Sequence, residues 1–525
     1  MKLRLLFLLL LISYASCVSV KKHNQQITKL HAVTDLRKDV DNLYLNLQKY
    51  HPKLYQYKSK EVVDFKFDSL KKAINTPLNS SDFYKKTVSV IAQLGHGHTN
   101  IFPPKRKRTK EERKIYYRER HEFNELSFEY LNKQLFLSGV QQKDSLLLGA
   151  EVLQVNGESV ADIDKKYRKM FSSDGYNTTF YDKAIGKQFK VFYYRDNGAV
   201  DSVSLTLQVN DSLFTKTFRK FLKEEKSENE LKKTDSIKPK PVKKEVVTKN
   251  LTRKEKRKYN KTHGFNALEN TYNRNLKFIG KDSTIAYMKI RSFTNGDYKT
   301  FYNQTFTELA RKKTQHLIID LRYNGGGRAV EILDLYKYLT NKEFQFFAKS
   351  NVNTRVPLLT AAFSNQTPII SKIIIGIASP LIATYNVFKT EKENNQLYFK
   401  YRTKIQQPNP LNYKGKIYVL INGYSFSSSA VLSTHLHATK RAIFVGQETG
   451  GAYNGTVAGY MRKHQLPHSK VTILFGVMNL TTPYQQNPDG YGIKPDVEIL
   501  PTLADRRNKI DPELEWILKD IEGKQ

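Results

Sequence analysis

The chain of 525 residues has one cysteine, Cys17, and one tryptophan. A single cysteine excludes an internal disulfide, so any core must be held by packing alone. Acidic residues are scarce against basic ones: 50 Asp and Glu face 87 Lys and Arg, a formal charge of +37. Such a balance suits an anionic surface or acidic ligands. The basic residues are spread widely, and no nucleic-acid-binding motif accompanies them, so nucleic acid is not an expected partner. No G-K-[ST] follows the glycine-rich stretch at 325–327, which argues against a nucleotide phosphate loop. Long apolar runs are also few. The longest internal one, 368–388, carries Lys372 and Pro380, which read as interruptions of a membrane span.

The N-terminus does carry a short apolar run. In "MKLRLLFLLLLISYASC", Lys2 and Arg4 precede an apolar core, small residues follow, and Cys17 closes it. This is a secretory signal pattern over 1–17, with Cys17 placed like the acceptor of a bacterial lipoprotein. An exported protein is expected, periplasmic or anchored to the outer membrane or cell surface through lipid on Cys17.

After the leader, Leu36, Val40, Leu43 and Leu47 recur at helical spacing. A helical N-terminal region is expected over 25–104, ending in the loop "GHGHT". A basic run at 105–114 reads as a solvated face. Over 120–212 the pattern changes to short strands, including "GAEVLQVNGESV" with a turn at Asn156-Gly157. The Lys- and Glu-rich stretch 216–263 has linker composition and reads as a flexible insertion. Strand and helix signals then alternate over 270–505, which implies an α/β domain with a mainly parallel sheet.

Three segments carry candidate chemistry. "KIYVLI" is a buried strand followed by "NGYSFSSSA" and then a helix, so the serines lie at a strand-to-helix turn. Helix capping explains one or two of them. A hydroxyl there is also exposed where α/β folds gather ligands, beside helix N–H groups that can hold an oxyanion. His435 and His437 lie about 12 Å or more along that helix from Ser427 and cannot serve it as base. His96 and His98, in a glycine-flanked loop, are better candidates. A metal site at the two imidazoles lacks further ligands at a matching spacing. "LIIDLRYNGGG" ends a strand in glycines whose N–H groups could face a ligand.

In their order along the chain, these segments resemble the tail-specific or C-terminal processing family of serine peptidases. "GHGHT", "GAEVLQVNGESV", "DLRYNGGG", "NGYSFSSSA", "VGQETGG" and "GIKPD" stand where the family has its motifs. The resemblance implies an α/β fold with a ClpP/crotonase-like catalytic domain, a helical N-terminal region and a PDZ-like β-rich insert. It implies hydrolysis of protein or peptide substrates through an acyl-enzyme, without cofactor or metal. Ser427 is the nucleophile by this register. The N–H groups of Ser428 and of Gly326, to within one position, are the oxyanion donors. Ala452 stands where one branch of the family has a catalytic lysine. The chain is therefore similar to the tricorn-core-like branch with Ser, His and an acid, which implies His98 as base and Asp489 as acid, with Glu448 as substitute. The alternative is an inactive peptide- or ligand-binding lipoprotein on the same fold.

Overall fold

The computed structural model describes residues 19–222, 251–267, 270–280 and 282–523. The leader with Cys17, and positions 223–250 of the expected insertion, lie outside the described residues. Four helices open the described chain: α1 (Val20–Thr28), α2 (Val33–Tyr50), α3 (Lys60–Ala73) and α4 (Ser80–Ala92). Leu36, Val40, Leu43 and Leu47 are fully buried along α2, as their spacing requires. Burial of that kind stabilises by roughly 1.5–3 kcal/mol per large apolar side chain. The helix stops at His51 because Pro52 cannot continue it. A short strand, β1 (Asn100–Phe102), follows the "GHGHT" loop. The basic run then enters α5 (Lys110–Arg118), which starts at a Thr109–Glu112 capping box and buries no residue.

A second, antiparallel sheet is built from β2 (Glu119–His121), β3 (Ser127–Leu131), β4 (Gln134–Gly139), β5 (Glu151–Val155), β6 (Glu158–Ser159), β7 (Ser202–Val209) and β8 (Ser212–Leu222). Its order is β2-β8-β7-β5-β4-β3, with β6 paired to β5. Asn156 and Gly157 both have positive φ, 50° and 83°. That is the geometry a two-residue hairpin needs, and Asn-Gly is the pair that tolerates it. Two helices, α6 (Val160–Tyr167) and α7 (Thr179–Asn197), belong to this region. The flexible insertion expected from 216 is ordered at both ends. Strand β8 continues to Leu222, and α8 (Arg253–His263) begins at a second capping box, Thr252 with Glu255. Pairing with β7 and local capping outweigh the linker-like composition there.

The α/β unit contains β9 (Arg274–Ile279), β10 (Ile285–Ile290), α9 (Tyr298–Arg311), β11 (His316–Asp320) and α10 (Ala329–Leu339). An excursion carries α11 (Pro357–Ala362) and α12 (Ile369–Lys389). The chain then returns through β12 (Lys416–Ile421), α13 (Ser428–Ala438), β13 (Ile443–Gly446), β14 (Thr456–Val457), β15 (Met461–Gln465), β16 (Thr472–Gly476), β17 (Val497–Glu498) and α14 (Pro512–Ile521). The main sheet runs β9-β10-β11-β12-β13-β17. Every neighbouring pair is parallel except β9 with β10. Both faces are covered, as a parallel sheet demands. Leu317, Ile319, Val419 and Ile421 pack with the helices α9, α10 and α13 on one side. Ile318, Tyr418 and Leu420 pack with Ile517 of α14 on the other.

Lys372 and Pro380 do not interrupt the apolar run at 368–388, which forms the single helix α12. Proline has no N–H to give the carbonyl four residues back. Here the Ser379 hydroxyl donates to that carbonyl, Gly376 O, at 2.7 Å.

Candidate functional site

Strand β12 delivers the serine turn to the C-terminal end of the parallel sheet. The turn is fastened by backbone groups and by serine hydroxyls. Phe426 N donates to Asn324 O at 3.0 Å, and Ser425 Oγ donates to Leu321 O at 2.8 Å. The Ser428 hydroxyl donates to Gly327 O at 2.8 Å. Ser425 and Ser428 thus tie the turn to the "DLRYNGGG" segment. Ser427 itself has φ 55° and ψ −122° and caps nothing with its side chain. Such a conformation is strained for a residue with a Cβ, and strain of this kind gathers at functional turns.

The "GHGHT" loop reaches the same place from the other end of the chain. Its strand β1 pairs with β16, which pairs with β15, so the loop is stitched into the late part of the α/β unit. The result is a contact between residues 329 positions apart: His98 Nε2 lies 3.0 Å from Ser427 Oγ. The imidazole stacks on Phe426, with ring centroids 5.1 Å apart. Gly97 permits this. A Cβ there would lie 2.4 Å from Phe426 Cζ and 3.2 Å from Asp174 Oδ1.

The other ring nitrogen, His98 Nδ1, lies 3.0 Å from Thr456 Oγ1 of β14. Gly97 N donates to Asp174 Oδ1 at 2.9 Å. Asp174 is buried, and its second oxygen, Oδ2, accepts no well-formed hydrogen bond, although Thr456 and the Ala452 N–H lie near the carboxylate. Burial holds the Asp174 carboxyl above its ordinary range, against the opposing pull of His98, the Gly97 N–H, Thr456 and the Ala452 N–H. Burial likewise lowers the His98 pKa, and the Asp174 charge acts in the opposite direction. The lowered pKa favours the neutral imidazole, the form that can accept a proton.

Asp489, expected as the acid, does not meet His98. Its Oδ2 accepts from Gln56 Nε2 at 2.8 Å, and its Oδ1 accepts from Gly490 N at 2.7 Å. The reason is the packing behind the histidine loop. Gly490 lies against the turn that carries Asp174: Tyr176 N donates to Gly490 O, and Gly175 N donates to Gly95 O, each at 2.8 Å. Asp174 is thus the carboxylate that faces the histidine, and Asp489 braces its turn from outside. The substitute acid fares no better, because Glu448 accepts from Gly492 N at 2.7 Å.

Gly326, expected as an oxyanion donor to within one position, offers no free N–H. Its Cα abuts Ser427, since a Cβ there would lie 2.6 Å from Ser427 Cβ. Its N–H, however, donates to Asn324 Oδ1 at 2.9 Å. Among the described residues, the N–H groups of Ser428 and Gly327 have no acceptor.

His96 points away from the serine. It is buried against His51 and Tyr57, with ring centroids 4.4 and 5.1 Å away. Burial lowers its pKa to about 4. His435 is a core residue, stacked on Phe346 and bonded to its carbonyl. No group of metal-binding side chains occurs among the described residues. Sequence reading missed Asp174 and Thr456. "SSDGYN" reads as an ordinary Asp-Gly turn, and "NGTVAG" offers one hydroxyl among small residues.

Residues 284–499 match the model of peptidase family S41. No curated protein matches the sequence. Among solved structures, mature CPAF complexed with lactacystin is similar at 15% identity and a TM-score of 0.59, covering 93% of this chain and 97% of that one. Mature CPAF is similar at 15% identity and 0.58, covering 93% and 96%. The photosystem II D1 C-terminal processing protease gives 13% identity and 0.42, with 88% and 93% covered. The chain thus has the mixed α/β fold seen in CPAF, with a helical N-terminal region and a β-rich domain beside the α/β unit.

Proposed function

We propose that the protein is an exported serine peptidase that cleaves peptide bonds of proteins or peptides through an acyl-enzyme on Ser427. The observation that carries this reading is the 3.0 Å contact between Ser427 Oγ and His98 Nε2. The family match over 284–499 supports it. Export, with Cys17 as lipid acceptor, belongs to the same reading and rests on the leader alone.

The chemistry follows from the hydrogen-bond order. A neutral imidazole that donates from Nδ1 to Thr456 Oγ1 leaves Nε2 free to accept the Ser427 proton. The Thr456 hydroxyl hydrogen is then free to turn toward Asp174 Oδ2, the buried oxygen that accepts no well-formed hydrogen bond. Attack of Ser427 Oγ on a peptide carbonyl creates an imidazolium, and the Asp174 charge stabilises it across Thr456. The Ser428 N–H, at the start of α13, and the N–H of Gly327 are the donors we assign to the oxyanion. His98 returns its proton to the leaving amine, and water then releases the acyl group.

A serine-directed fluorophosphonate tests the reading. Labelling is expected on Ser427 and is expected to vanish in Ser427→Ala and in His98→Ala. Label that persists at another residue of Ser427→Ala, with peptide hydrolysis intact, overturns it.

A further inference from the structure

Helix α12 is apolar on the wrong side for a helix in water. Over its 21 residues only 6% of the most apolar stretch is buried, although that stretch could by length and composition cross a membrane. Ile370, Ile377, Leu381 and Phe388 are 70%, 79%, 79% and 82% exposed. At 100° per residue these positions fall on one face, with Ile374 between them. On the opposite face Ile375 and Ile382 are half-buried and Asn386 is buried, its Oδ1 capping α11 at Leu358 N. An exposed apolar patch of this extent marks an interaction surface.

We propose that α12 lies in the surface of an anionic lipid bilayer, parallel to it, with Ile377 and Leu381 among the acyl chains. Parallel placement follows from connectivity. The strand at Thr390–Glu393 pairs with Gln396–Phe399, which pairs with Ser350–Val352 ahead of α11. Thr390–Glu393 follows the C-terminal end of α12 directly, and Asn365, just before its N-terminal end, is bonded to Gln465, so both ends are fastened to the same folded body and cannot lie on opposite sides of a membrane.

The neighbourhood of the helix selects lipid over a second copy of the chain. Just before α12, Asn365 exchanges two hydrogen bonds with Gln465, at 2.6 and 2.8 Å. Three residues later His468 O accepts from Gln26 of α1 at 3.1 Å. From α1, His23 reaches Lys105 O, and Asn24 exchanges two bonds with Lys107. The exposed Lys105 and Lys107 thus sit beside α1, which is joined through His468 to the end of the strand whose Gln465 holds Asn365; Arg106 between them is paired with Glu112. Anionic headgroups complement those charges, whereas two copies meeting there would set like charges together.

The test is a polarity-sensitive fluorophore on Ile377→Cys in the full chain, with the parent chain as labelling blank. Phosphatidylethanolamine vesicles containing phosphatidylglycerol should shift its emission to the blue. Brominated acyl chains should quench it by about two-fold or more, as expected for a side chain below the headgroups. The same label on Ser371→Cys, half-buried and off the exposed stripe, should respond less to both. Ile377→Glu combined with Leu381→Glu should weaken vesicle binding. A label that stays water-like on vesicle-bound protein overturns the proposal. So does a blue shift that grows with protein concentration without vesicles, which would mean a second copy. Hydrolysis plays no part in the readout, and Ser427→Ala should bind alike, so this result and that of the peptidase reading are independent.

Discussion

Ser427 and His98 meet at one hydrogen bond but are held by different means. The serine is positioned from within one unit. A buried parallel strand, a strained turn and backbone bonds to 321–327 leave it few alternatives. The histidine is positioned by tertiary contacts from separate stretches: Asp174 on the Gly97 N–H, Thr456 on Nδ1, and Phe426 on the ring face. The position of the proposed nucleophile is thus a property of local chain geometry. The proposed base, His98, reaches its place only when the N-terminal helices, the β-rich domain and the α/β unit are assembled. Damage to the first side should remove the reacting atom and leave the architecture. Damage to the second should spread into pH dependence and stability.

The largest effect should come from Ser427→Ala, with a fall in peptide hydrolysis of about 10⁴–10⁶-fold and unchanged thermal unfolding. His98→Ala should match it, and their double variant should be no worse, because the two act as one unit.

Asp174→Asn should come next, lowering kcat by roughly 10²–10⁴-fold, since an amide cannot stabilise the imidazolium in the same way. The pH profile sharpens this. Burial lowers the His98 pKa, so the acid limb of kcat/KM should lie below 6.5 and activity should fall as pH drops through it. The Asp174 charge raises that pKa, so Asp174→Asn should move the limb to lower pH. A limb that moves upward or stays still would break the assignment of Asp174 over Asp489.

Gly97→Ala should affect both stability and rate. Its Cβ would meet the Phe426 ring, at a cost of about 1–3 kcal/mol for overpacking, read by denaturant unfolding. Fluorophosphonate labelling should slow in the same variant, because relief of the clash displaces His98. The smallest effect should be that of Asp489→Ala. It loses the Gln56 bond and a turn contact, about 1 kcal/mol of stability, with kcat close to unchanged. A collapse of kcat there without loss of fold would restore Asp489 as the acid.

The elements were largely readable because their signals are periodic and local. "KIYVLI" forms β12 over its full length, and the four buried leucine and valine positions of α2 follow the helical repeat. The continuity of α12 through Pro380 was not readable, because it depends on a side chain, Ser379, bonding a carbonyl left free. Nor was the occupancy of the Gly326 N–H, which depends on Asn324 folding back on its own loop.

By itself the sequence determined the strand-to-helix turn at Ser427, the glycine-rich end of "LIIDLRYNGGG" and the helical repeat of α2. Each of these is written within a dozen neighbouring residues. Only the tertiary structure decided which acid faces the base. Asp174 and Thr456 lie 77 and 358 positions from the residues they bond, and no local pattern records a contact over such separations. Packing of Gly490 against the Asp174 turn puts one carboxylate beside the histidine loop and leaves the other outside it.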